Sequence, residues 1–154
     1  MKHKVRLARL DDVPAIYGLA CELLDASFQA GIPIDEPKFR KLTGTLIMAK
    51  DGFAQVVVDS FDAPVGFLLG MVDELFYSRK KFATDVCAFV REEAKGMGAY
   101  VMRAFMRWAW SRTGVVEIIL GLSSNIDPER TGAFYEALGF TRVGGIYILK
   151  RTAS

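Results

Sequence analysis

The chain has 154 residues, about half of them apolar and a quarter charged, with a net charge of +2 and a sequence pI of 8.6. That balance excludes a disordered polymer and is too mild for the dense basic face of a nucleic-acid-binding protein. No apolar run approaches the ~20 residues of a membrane span, and the length fits a single domain, 1–154.

The start, "MKHKVRLARLDD", carries no apolar secretory stretch, so a cytoplasmic protein is expected. Cys21 and Cys87 fall on apolar patterns and read as buried thiols. The single histidine, His3, lies near the start, and one His without a Cys pair makes no metal site.

Val5 to Arg9 alternates as a first strand. Asp11 or Asp12 then caps a helix with Pro14 in its first turn, and Asp35-Glu36-Pro37 opens a second helix running to about Ala49. "FAQVVVDS" and "VGFLLGMV" read as strands joined by a turn over Phe61 to Pro64. A further strand spans about 82–90, followed by a glycine-containing turn and a helix from about Gly98 to Arg112. "VVEIILGL" is the next strand. A short helix follows, capped by Asn125 or Asp127 and ended by Gly139, and "TRVGGIYILK" closes the chain as a last strand. The order β-α-α-β-β-β-α-β-α-β predicts a mixed α/β sheet.

The turn "REEAKGMGA" places Gly96 and Gly98 between a strand and a helix start. Unpartnered N–H groups and the helix dipole suit such a turn to a phosphate, although a two-glycine turn is also ordinary loop chemistry. A phosphate-binding P-loop is excluded, because no Lys-Ser/Thr follows Gly98. A dinucleotide fingerprint is excluded by Val101, where a small residue is required.

Taken with the tail, these segments resemble the GNAT superfamily of N-acetyltransferases. "AFYEALGF" (133–140) resembles the family's closing signature, and "GMGAYVMRAFMRWA" its cofactor helix. "LGLSSNIDPERTGAFYEALGF" and "GGIYILK" look most like a subgroup common in phages and bacteria. The resemblance is specific from Asp85 to Phe140 and topological before Val65. It implies a twisted sheet of six to seven strands with about four helices, splayed between the strands at 65–72 and 82–90, and use of acetyl-CoA as co-substrate by a homodimer without metal. It implies a small-molecule or peptide amine as acceptor, with no nucleic-acid or membrane partner.

The family's turn reads Gln/Arg-x-x-Gly-x-Gly/Ala. Glu93 occupies the basic slot in one register and Lys95 in another. Met97, Gly98 and Ala99 would offer N–H groups to the pyrophosphate beside Gly96, with Lys95 or Arg91 adding charge. Phe89 and Val90 would pair with the pantetheine amides, Asn125 would contact that arm or only cap its helix, and Arg130 would meet a phosphate or a partner loop. Tyr135 matches the family's general acid. Asp85, a carboxylate in the apolar run "FATDVCAFV", is the first candidate base, and Glu74 with Asp73 the second. Each of these residues also has a plain structural role available, as core or as a solvated turn. A non-catalytic acyl-CoA-binding or interaction module on the same fold is the alternative.

Overall fold

In the computed structural model, which describes residues 2–121 and 126–152, five strands form one sheet in the order β1-β2-β3-β4-β5. They are β1 (Lys4–Leu7), β2 (Gly52–Val58), β3 (Pro64–Glu74), β4 (Lys81–Val90) and β5 (Val115–Ile119). The first four are antiparallel neighbours, whereas β4 and β5 run parallel. Parallel pairing needs a crossover, and α3 (Gly98–Ser111) supplies it.

The period-2 pattern of β2 sets up two core layers. Ala54, Val56 and Val58 face α1 (Val13–Ala26) and α2 (Glu36–Met48), packing with Ile16, Leu19, Leu46, Phe67 and Leu69. Phe53 and Val57 face α3, packing with Leu68, Met102, Phe105 and Ala109. Gly70 admits the Phe105 ring, since a Cβ there would lie 2.5 Å from Phe105 Cε2. Asp35 caps α2 by accepting from the Lys38 N–H, and Asp127 caps α4 (Pro128–Ala137) by accepting from the Arg130 N–H. Gly139, at φ 101, ends α4 in the left-handed conformation.

One irregularity interrupts the β3–β4 ladder. Leu69 pairs with Cys87 but Gly70 pairs with Asp85, so Val86 has no opposite number. This bulge reverses which side of the sheet the odd residues occupy. Ala83 lies in the α3-side layer, whereas Cys87 and Phe89 pack against the α1-side layer.

Four expectations are corrected. The sheet has five strands among the described residues, not six or seven. Residues 141–150 form no strand and are exposed throughout; a β-patterned segment becomes a strand only where a neighbour supplies its ladder. The splay does not lie between the strands at 65–72 and 82–90, which pair from Gly66↔Val90 to Glu74↔Lys81. It lies between β4 and β5, whose pairing stops at Thr84↔Ile119. Asp12, moreover, accepts from the Arg9 N–H (2.7 Å) and the Arg6 guanidinium (2.7 and 3.0 Å), tying the start of the helix to β1 instead of capping α1.

Candidate active site

Beyond Thr84, no strand among the described residues pairs with the β5-facing edge of β4 from Asp85 to Val90. A cleft of about 520 Å³ opens there. Its walls come from the end of α1 (Leu23, Leu24, Ser27) and from Gly121 and the α4 residues Thr131 and Tyr135. The bulge leaves Val86, the second residue of this edge, without a ladder partner.

Asp85 and Tyr135 both line the cleft. Burial pushes the Asp85 carboxyl up to about 6, although the Gly121 N–H hydrogen-bonds to it and pulls the other way. Burial likewise pushes the Tyr135 phenol up to about 12, and the Asp85 charge adds to the shift. The phenol therefore keeps its proton at neutral pH. Phe134 and Phe140 flank the Tyr135 ring, with centroids 5.9 and 6.0 Å away. Cys87, in the same cleft, is pushed up to about 12 by burial and by Asp85, so it remains a thiol.

Phe89 and Val90 line the far end of the cleft, as does Glu92. The turn beyond is a 3-10 helix, Glu92–Met97, leading directly into α3. Gly96, Met97, Gly98 and Ala99 follow there without lining the enclosed part of the cleft. Gly98 has ordinary helical angles (φ −55, ψ −38), and neither Gly96 nor Gly98 has positive φ. A Cβ on either would meet nothing within 4 Å. What glycine offers at these positions is exposed backbone that a ligand can approach closely.

The basic groups beside this turn are already paired. Lys95 Nζ lies 2.8 Å from Glu92, and Arg91 makes a forked contact with Glu22 of α1 at 2.8 and 3.1 Å. Lys95, with a smaller contribution from Arg130, holds the Glu92 carboxyl below its usual range. Glu93 is exposed. Arg130, on the first turn of α4, is near enough to Glu92 for its charge to add to that shift.

Two candidates, Glu74 and Asp73, are not brought here. Glu74 pairs with Lys81, four residues before Asp85 along β4, which is roughly 13 Å at strand rise; Glu74 and Asp73 are exposed and do not line the cleft. Asn125 lies outside the described residues. Among the described residues, no group of three His, Cys, Asp or Glu side chains gathers as a metal site, and no helix is long and apolar enough to cross a membrane.

No family model matches this chain, and no curated protein does. Solved structures do. Glucosamine-6-phosphate N-acetyltransferase from Arabidopsis thaliana superposes with a TM-score of 0.73 at 18% identity, covering 99% of this chain and 100% of that one. The ribosomal-protein-alanine N-acetyltransferase of Brucella melitensis biovar Abortus 2308 gives 0.72 at 14% identity, covering 98% and 100%. An aminoglycoside acetyltransferase from an uncultured soil metagenomic sample gives 0.69 at 20% identity, covering 99% and 97%. The chain has the fold of these acetyltransferases, the one that its resemblance to the GNAT superfamily implied.

Proposed function

We propose that this chain is an N-acetyltransferase that takes acetyl-CoA into the β4–β5 cleft and transfers the acetyl group to a primary amine on a small molecule or peptide. The observation that carries this reading is one coincidence. A free strand edge, a carboxyl near pKa 6 and a protonated phenol meet in the same cleft.

The chain's residues fit acetyl-CoA. The free edge from Asp85 to Val90 offers backbone N–H and C=O groups to the amides of its pantetheine arm, as a neighbouring strand would. The open backbone at Gly96 to Ala99, at the start of α3, suits its pyrophosphate. Acetyl-CoA supplies a thioester carbonyl and a thiolate leaving group. The Val86 N–H, released from the ladder by the bulge, is the donor we assign to the carbonyl oxygen as negative charge develops there. Asp85 is ionised at neutral pH and takes the proton from the acceptor's ammonium, through a water where the distance requires it. Tyr135 donates its phenolic proton to the departing sulfur.

A second reading, an acyl-CoA-binding module without turnover, is favoured by one observation. Lys95 and Arg91 are both engaged by carboxylates, while Glu93 stands exposed by the turn and its charge acts on the already paired Arg91. Calorimetric titration with acetyl-CoA, followed by a thiol-release assay across small amines, aminoglycosides, amino acids and peptide N-termini, separates the two. Binding with release for one amine class is expected. Binding without release across the panel supports the module, and no binding at high micromolar ligand overturns both.

The proposal extends to a homodimer. Residues 141–150 carry β-pattern apolar side chains with no ladder, Tyr147 and Leu149 being 98% exposed, and β5 ends the sheet with an open edge. Pairing of the tail with β5 of a second copy would satisfy both.

A further inference from the structure

At the opposite edge of the sheet from the cleft, α3 stands away from β1 and leaves a groove of about 550 Å³. Val5 and Gln55 form its floor, Tyr100 stands on the α3 wall, and Arg103 and Arg107 rim it. Gln55 lies in the α3-facing row of β2, between Phe53 and Val57, where every neighbour in the row is apolar. It is only 7% exposed, and its Oε1 has no hydrogen-bond partner. A buried acceptor without a donor is costly, and such groups usually find one. Leu or Val would fill this position in a row built only for packing.

The charges above the amide are equally unspent. Arg103 and Arg107 stand one turn apart on α3, where like charges repel. The ion pairs among the described residues engage Arg6, Arg9, Arg40, Lys81, Arg91 and Lys95, and neither of these two arginines. Two cations, Arg103 and Arg107, therefore overhang a recess whose buried amide oxygen asks for a donor. The volume suits a small molecule.

We propose that this groove binds a small organic anion, a phosphate or carboxylate that also carries a hydroxyl or amine donor. The anionic group sits between Arg103 and Arg107, and the donor reaches Gln55 Oε1. The site is separate from the acetyl-transfer cleft and does not depend on that reading.

The test is ¹⁵N NMR of the whole chain titrated with glycerol 3-phosphate, with glycerate, and with inorganic phosphate, which lacks a carbon-borne donor. Saturable shifts are expected at Val5, Gln55, Arg103 and Arg107 with one of the two organic probes, and which one binds separates the phosphate from the carboxylate source. The double variant Arg103→Ala/Arg107→Ala, both exposed on α3, should weaken binding about tenfold or more. Gln55→Leu should weaken the organic probe without affecting inorganic phosphate, and should raise Tm because it removes the orphaned acceptor. Shifts confined to residues 92–99 would place the anion at the cradle and overturn the proposal. Binding insensitive to the arginine variant would mean an adventitious ion only. A lower Tm for Gln55→Leu would show that the fold needs the amide, and would remove its role in binding.

Discussion

Asp85 links the chemistry to the stability of the fold. Its folded-state pKa, about 6, lies above the usual 3.8, so the native state holds this proton more tightly than the unfolded chain. The favourable contribution is complete below about pH 4 and is lost as pH rises through 6, a change on the order of 3 kcal/mol. Asp85→Asn should therefore raise unfolding stability at pH 7.5 by on the order of 1–3 kcal/mol, while lowering turnover by about 10²-fold or more. Denaturant melts and a thiol-release assay check both signs. The acid limb of kcat/KM should fall near pH 6 and vanish in the variant. Tyr135→Phe should lower kcat by ~10–10² while leaving acetyl-CoA affinity within about twofold; equal turnover would remove the acid role. Asp12 behaves in the opposite way. Burial alone would raise its carboxyl, but the Arg6 guanidinium and the Arg9 N–H outweigh burial and hold it low. Asp12→Ala leaves Arg6 largely buried with only Asp62 beside it, and should cost about 3 kcal/mol in urea unfolding.

The cradle is best understood at the level of the element. Gly98 takes helical angles that any residue adopts, and its missing Cβ faces open space. Gly98→Ala should leave thermal unfolding unchanged or raise it, since alanine favours a helix by about 1 kcal/mol, yet weaken acetyl-CoA binding in calorimetry. Unchanged affinity would place the pyrophosphate elsewhere. Much of this element was legible in the sequence, because the strand, the glycines and the α3 start follow in local order. Asp85 was legible too, as a lone carboxylate in an apolar run. The bulge was not, because "FATDVCAFV" alternates no differently with or without an unpaired residue; only the partner strand reveals it. Glu74 was misplaced for a related reason. Its neighbours mark a strand end, but not whether that end of the sheet holds the cleft. Closure of the β3–β4 ladder, like the opening of β4–β5, is a property of pairing that no local pattern carries.

At the scale of the whole molecule, the tail was read as a strand from its composition, and within one chain it finds no ladder. Lys150 Nζ reaches back, donating to the Phe28 carbonyl at 2.6 Å. If a second copy supplies the ladder, light scattering should give twice the chain mass, and removing residues 141–154 should yield monomer with the sheet intact by circular dichroism. A full-length monomer would end the dimer proposal. The bulge at Val86 has a consequence of another kind. Asp85 and Cys87 already pair with consecutive residues of β3, so deleting Val86 would close the ladder and keep every other side chain on its own side of the sheet. The shortened protein should fold at least as well, with Asp85 and Tyr135 retained and the loose N–H gone. A main-chain group is thereby open to removal by a single codon, and the same one-residue difference would let a lineage on this fold gain or lose its catalyst while its architecture stood still.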